Sequence, residues 1–70
     1  MSKAYIKCRL PVLTTTNDAV LVLDGYKKQT WVPLSIVSNA TLATLESHTT
    51  RGQTMPLEIQ EWKAKRMGVM

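Results

Sequence analysis

The stretch from Ala19 to Val37 constrains this chain more than any other. It reads AVLVL, then DGYKK, then QTWVPLSIV, so two strand-like runs flank an Asp24-Gly25 turn signal. The pattern predicts a β-hairpin ending at Pro33, which has no N–H to give to a ladder. Ala19 to Leu23 shows no polar alternation, which predicts a central strand covered on both faces, or one whose second face meets a partner. Gly25 is expected to supply the positive φ of the turn, with Tyr26 to Lys28 able to lengthen the loop. One residue of register then decides whether Trp31 faces core or solvent.

The flanking segments extend a sheet. Lys3 to Leu10 alternates, with Lys3, Tyr5, Lys7 and Arg9 on one side and Ala4, Ile6, Cys8 and Leu10 on the other, as in a half-buried strand. Pro11 either ends this strand or leaves it continuing as an edge through Val12 and Leu13, and Thr14 to Asp18 then reads as a polar turn. Beyond Pro33, Leu34 to Val37 predicts a single helical turn that folds Ile36 and Val37 back onto the sheet. Residues 38–50, SNATLATLESHTT, admit either a short helix capped by Ser38 or Asn39 or a loop with a short strand; the second is the reading taken. Arg51-Gly52-Gln53 marks a turn, and Thr54 to Ile59 alternates again, with Pro56 arguing for an edge.

From Gln60 the period changes. Trp62 with Arg66 and Lys63 with Met67 stand at i, i+4, Glu58 and Glu61 precede the cations, and Gly68 sits where a left-handed residue stops a helix. This predicts a short C-terminal helix docking through Ile59, Trp62 and Met67. The expected fold is therefore β-rich α+β: a small antiparallel sheet, or a partly open SH3-like or OB-like barrel, of four or five strands with a short C-terminal helix.

Seventy residues make one small domain with a marginal core and no room for a deep cleft, so a homodimer or a partner can add what the core lacks. Nine Lys plus Arg against five Asp plus Glu give a formal charge of +4, which favours an anionic partner, either nucleic acid or an acidic protein surface. Cys8 is the only cysteine, which excludes an intramolecular disulfide, and no Cys/His set has zinc-site spacing. No motif calls for a cofactor or a metal. The N-terminus has no apolar stretch behind its early cations, and the apolar run Ala19 to Leu23 is far too short to span a membrane; the expectation is an unprocessed cytoplasmic protein with no membrane partner.

Two patterns carry a family resemblance: W-V-P-x-S-x-V (Trp31, Val32, Pro33, Ser35, Val37) and E-I-x-E-W-x-A-x-R-x-G (Glu58, Ile59, Glu61, Trp62, Ala64, Arg66, Gly68). Together, over about half the chain, they resemble short uncharacterised proteins of bacteriophages and prophages. The chain departs from that pattern at Gln60, where related sequences often have Pro, and at Leu34, where they often have Lys. The resemblance implies a phage or mobile-element origin and no particular activity, with both Trp side chains serving as packing anchors.

Candidate chemistry is sparse. Cys8 and His48 are the one thiol–imidazole pair, yet Cys8 falls on an apolar strand face and no third group or oxyanion site accompanies it. His48 stands in a polar stretch and reads as solvated. Glu58 and Glu61 read as residues serving a helix N-terminus, and Ser35 lacks a nucleophile-elbow context. A non-enzymatic protein is expected.

The most informative face is Lys3, Tyr5, Lys7 and Arg9, which sets cations and an aromatic about 7 Å apart, a spacing suited to following a phosphate backbone while a base stacks on the ring. Lys27, Lys28 and Arg51, in turns, are expected to extend it. The competing reading is a solvated face whose cations guard against aggregation. Two functions follow: binding of nucleic acid, single-stranded or without sequence preference, or modulation of a host protein through Tyr26, Trp31 or Trp62.

Overall fold

The computed structural model describes residues 4–69, so the expectation for Lys3 lies outside the described residues. The elements are β1 (Tyr5–Thr15), β2 (Ala19–Leu23), β3 (Gln29–Pro33), a 3-10 turn (Leu34–Ile36), α1 (Asn39–Leu45), β4 (Gln53–Gln60) and α2 (Glu61–Arg66). The four strands form one open antiparallel sheet in the order β3-β2-β1-β4, with β2 central as its apolar run predicts. This is a small β-rich α+β fold with a short C-terminal helix.

Alternation sorts the sheet into two faces. Cross-strand pairs Ile6↔Ile59, Cys8↔Leu57, Leu10↔Met55, Val12↔Val22 and Val20↔Val32 make the inner face. Apart from the half-buried Ile6 and Cys8, these residues form the core with Val37, Leu45 and Met67, and in it Val12, Val20, Val22, Val32 and Ile59 are fully buried. Tyr5, Lys7, Arg9, Leu21 and Trp31 point the other way. The core is thus aliphatic, and neither Trp is a packing anchor: Trp31 is 49% and Trp62 50% exposed. Leu21, opposite Trp31 on the outer face, is nonetheless buried.

Pro11 does not end β1: the strand continues to Thr15, paired with β4 from Tyr5 to Val12 and with β2 from Val12 to Thr15, so Val12 lies between two strands rather than on an edge. Gly52 donates to the Val12 carbonyl from the β4 side (2.8 Å), so Val12 turns its polar groups toward β4 and Pro11 turns its N–H-free nitrogen away from that ladder. A bulge between Val12 and Thr14 inserts Leu13 and re-aims the strand, and the following turn contracts to Thr16–Asp18, where the Thr16 hydroxyl accepts from Asp18 and Ala19.

The β2–β3 turn differs from expectation in its chemistry. It is Lys27, at φ 61, that takes the left-handed conformation, inside a loop organised by Asp24. Asp24 Oδ1 accepts from the Tyr26 and Lys28 amides (2.8 and 3.1 Å), and Oδ2 accepts from the Thr30 hydroxyl (2.7 Å). Gly25 serves instead as a contact point: its N–H donates to the Met67 carbonyl (2.7 Å), and a Cβ there would stand 2.1 Å from the Gly68 oxygen.

The Thr30 hydroxyl is the main cause holding the Asp24 carboxyl below its ordinary range; desolvation opposes it, and the Lys28 and Tyr26 amides and the Lys28 charge add further lowering. A carboxyl depressed in the folded state contributes its stability above the unfolded value of about 3.9 and loses it as pH falls through the lower folded value. Urea midpoints are therefore expected to drop between pH 5 and pH 3 (both set by that reference value) more steeply in the native chain than in Asp24→Asn.

Residues 38–50 correct the loop reading. Ser38 caps α1 by accepting from the Thr41 amide (3.1 Å), and Leu45 is buried against the sheet; the cap is worth about 1 kcal/mol. The Thr41 hydroxyl accepts from the Glu58 amide (2.7 Å), and Ser38 N–H donates to the Glu58 carbonyl, so α1 is tied along the outer edge of β4. Val37 adds one bridge to Ile59 there. The edge position predicted from Pro56 is thus present, but partly covered. His48 is not simply solvated, because its Nε2 lies 2.8 Å from the Val12 carbonyl, which makes that nitrogen the protonated donor.

At the C-terminus α2 docks through Ala64 and Met67, both buried, with Ile59 beneath; Trp62 stays outside, contrary to expectation. Gly68, at φ 70, ends the helix as predicted, and its Cα lies under the Tyr26 ring.

Candidate nucleic-acid interface

The outer face of β1 and β4 gathers the basic row. Tyr5, Lys7 and Arg9 project from one side of β1 and lie opposite Gln60, Glu58 and Pro56 in the β4 ladder. Lys7 and Arg9 are exposed, and Tyr5 is 39% exposed. α1, standing along the β4 edge, raises a wall beside them. The result is a groove of about 380 Å³ with Lys7, Arg9, Pro56 and Glu58 along its floor, Ala40, Thr41 and Thr44 on its flank, and Cys8 and Leu57 bordering it.

At the Tyr5 end the row meets α2. Gln60 is the link: it faces Tyr5 across the ladder, and its Oε1 accepts from the Trp62 indole (2.9 Å). Arg66 lies over the Trp62 ring, 5.8 Å from its centroid. Two exposed aromatics and three cations thus share one surface. Sequence reading placed Trp62 with a protein-binding alternative and left out Arg66, although their i, i+4 spacing carries the signal.

Other predicted residues lie elsewhere. Arg51 stands two residues before β4 at the Val12 end, opposite to the Gln60 end, so it does not extend the row. Lys27 and Lys28 stand in the β2–β3 turn beside exposed Tyr26, which packs on Gly68. Trp31 occupies the β3 side of the outer face, opposite Leu21. Glu58 is the one carboxylate in the groove; its Oε1 accepts weakly from the Ser38 hydroxyl (3.4 Å).

Cys8 and His48 do not come together as a pair. His48 is engaged at Val12, four residues along β1 from Cys8, a separation of about 13 Å along the strand. Burial pushes the Cys8 thiol up, away from a reactive thiolate. Among the described residues there is no cluster of three or more His, Cys, Asp or Glu that could hold a metal ion, and no helix long and apolar enough to cross a membrane.

No family model matches the chain, and neither a curated protein nor a solved structure matches it significantly.

Proposed function

We propose that this is a non-catalytic accessory protein that binds single-stranded nucleic acid, without sequence preference, along the outer face of β1 and β4. The observation that carries the reading is the joining of the Tyr5, Lys7, Arg9 row to the Trp62–Arg66 pair through Gln60. Cations about 7 Å apart follow a phosphate backbone, and exposed rings at one end stack bases of any identity. Neither α1, seven residues long, nor α2, six, is long enough for groove readout of a duplex, which favours single strands. A phage or mobile-element origin and action inside the bacterial cytoplasm accompany this reading, as does a partly open barrel, to which the Val37–Ile59 bridge lends one contact.

Anisotropy of labelled oligonucleotides tests it. Single strands are expected to bind more tightly than duplexes, with affinity falling steeply as salt rises. Reversing both cations, Lys7→Glu with Arg9→Glu, is expected to weaken binding at least about tenfold at low salt while leaving the melting curve intact, because both side chains are exposed. Absence of binding even at low salt rejects the proposal.

A second reading, modulation of a host protein, is favoured by the half-exposed Trp31 over buried Leu21 on the β2–β3 side of the outer face, an aromatic anchor of the kind that fills a partner's pocket.

A further inference from the structure

β1 is paired on only one side over its first half. The ladder with β4 runs from Tyr5 to Val12, but the ladder with β2 begins only at Val12↔Val22. Beyond Val22 β2 has no pairing with β1 among the described residues, and its hairpin is held instead to the C-terminal segment by the Gly25-to-Met67 hydrogen bond. The strand's parity says which groups this leaves bare. Val12 and Ala4 accept from Gly52 and Glu61 on the β4 side, so even-numbered residues of β1 turn their polar groups toward β4. Tyr5, Lys7 and Arg9 turn theirs away, and among the described residues no strand, turn or loop supplies them a backbone partner.

We propose that this free edge, Tyr5 to Arg9, is a strand-addition site for an extended acidic segment of a partner protein. An edge that presents N–H and C=O groups together is matched by another peptide backbone, which both donates and accepts. A phosphate only accepts and would face bare carbonyls. Charge selects among peptides: Lys7 and Arg9 flank the edge, so a second copy of this chain, paired antiparallel about Lys7, would set two Lys7 side chains opposite each other. An acidic segment gains the attraction that a second copy loses.

Amide hydrogen exchange tests the edge, and a designed peptide tests its occupant. In the free protein the Tyr5, Lys7 and Arg9 amides are expected to exchange at least about tenfold faster than those of Ile6, Cys8 and Leu10; uniform protection along the strand overturns the proposal. A fluorescein-labelled peptide alternating Thr and Glu is then expected to bind at low salt and to protect the Lys7 and Arg9 amides. Two isomers, N-methylated on one or the other alternate set of residues, separate pairing from simple charge attraction. One isomer is expected to lose about tenfold or more in affinity while the other keeps it. Equal binding of both isomers, no binding of the parent peptide, or self-association through this edge by sedimentation each overturns the proposal. The oligonucleotide measurements stand apart from these outcomes, so either interaction can fail alone.

Discussion

A Gly25→Ala substitution is expected to undock the C-terminal segment, although Gly25 lies at the surface and is not in a left-handed conformation. The new methyl would sit 2.1 Å from the Gly68 oxygen, 2.5 Å from the Gly68 carbonyl carbon and 2.9 Å from the Met67 oxygen. All three are backbone atoms and cannot rotate aside, so the turn and the segment must separate. Separation breaks the Gly25-to-Met67 hydrogen bond, worth about 1 kcal/mol net, and draws Met67 out of the core. Together with the strain of overpacking, a loss of about 2–4 kcal/mol is expected. Thermal unfolding reads the loss. Faster carboxypeptidase trimming in the folded variant reads the release; a native melting temperature with native resistance to trimming would count against this account of the turn.

Ile59→Ala is expected to be at least as damaging. Ile59 is fully buried, faces Ile6 across the β1–β4 ladder and bridges Val37 on its other side, so it joins the sheet to the segment leading into α1. Removing three carbons there costs about 2–5 kcal/mol in transfer and cavity terms, with limited room to collapse because both neighbours are backbone-paired. A domain of this size commonly holds about 4–10 kcal/mol in all, so the variant should be close to unfolding at physiological temperature. Urea unfolding at fixed pH measures it, and a change under about 1 kcal/mol would mean that the site is less tightly packed than described.

Much of the fold was legible because alternation and turn residues are local signals. The hairpin from Ala19 to Pro33, the β4 alternation and the helix stop at Gly68 all emerge from neighbours a few positions apart. What escaped depends on distance. Residues 39–45 hold four good helix formers, Ala40, Leu42, Ala43 and Leu45, but Asn39, Thr41 and Thr44 interrupt them, and what fixes the helix is the Ser38 cap and the Thr41 and Leu45 contacts to β4 and the core. Gly25 reads as a turn glycine, whereas its smallness serves a contact 43 positions away, with Gly68. The two Trp residues read as anchors by size, yet strand parity sends Trp31 outward and the aliphatic residues suffice for the core.

The candidate site was half legible for the same reason. The period of two in β1 gave Tyr5, Lys7 and Arg9 a common face, but no local pattern brings Trp62 and Arg66 beside them. That depends on the turn from β4 into α2 and on Gln60 standing opposite Tyr5. Arg51 was misplaced because a turn cation can belong to either end of a ladder, and only the Val12↔Gln53 pairing decides which.

The most direct test is an NMR titration of the protein with a short single-stranded oligonucleotide, following backbone amides and both indole N–H signals. Shifts are predicted to concentrate at Tyr5 to Arg9, Thr54 to Gln60 and the Trp62 indole, with the Trp31 indole unmoved. Shifts gathered instead around Trp31 and Leu21, or none at saturating oligonucleotide, would contradict the assignment of the β1–β4 outer face as the binding surface.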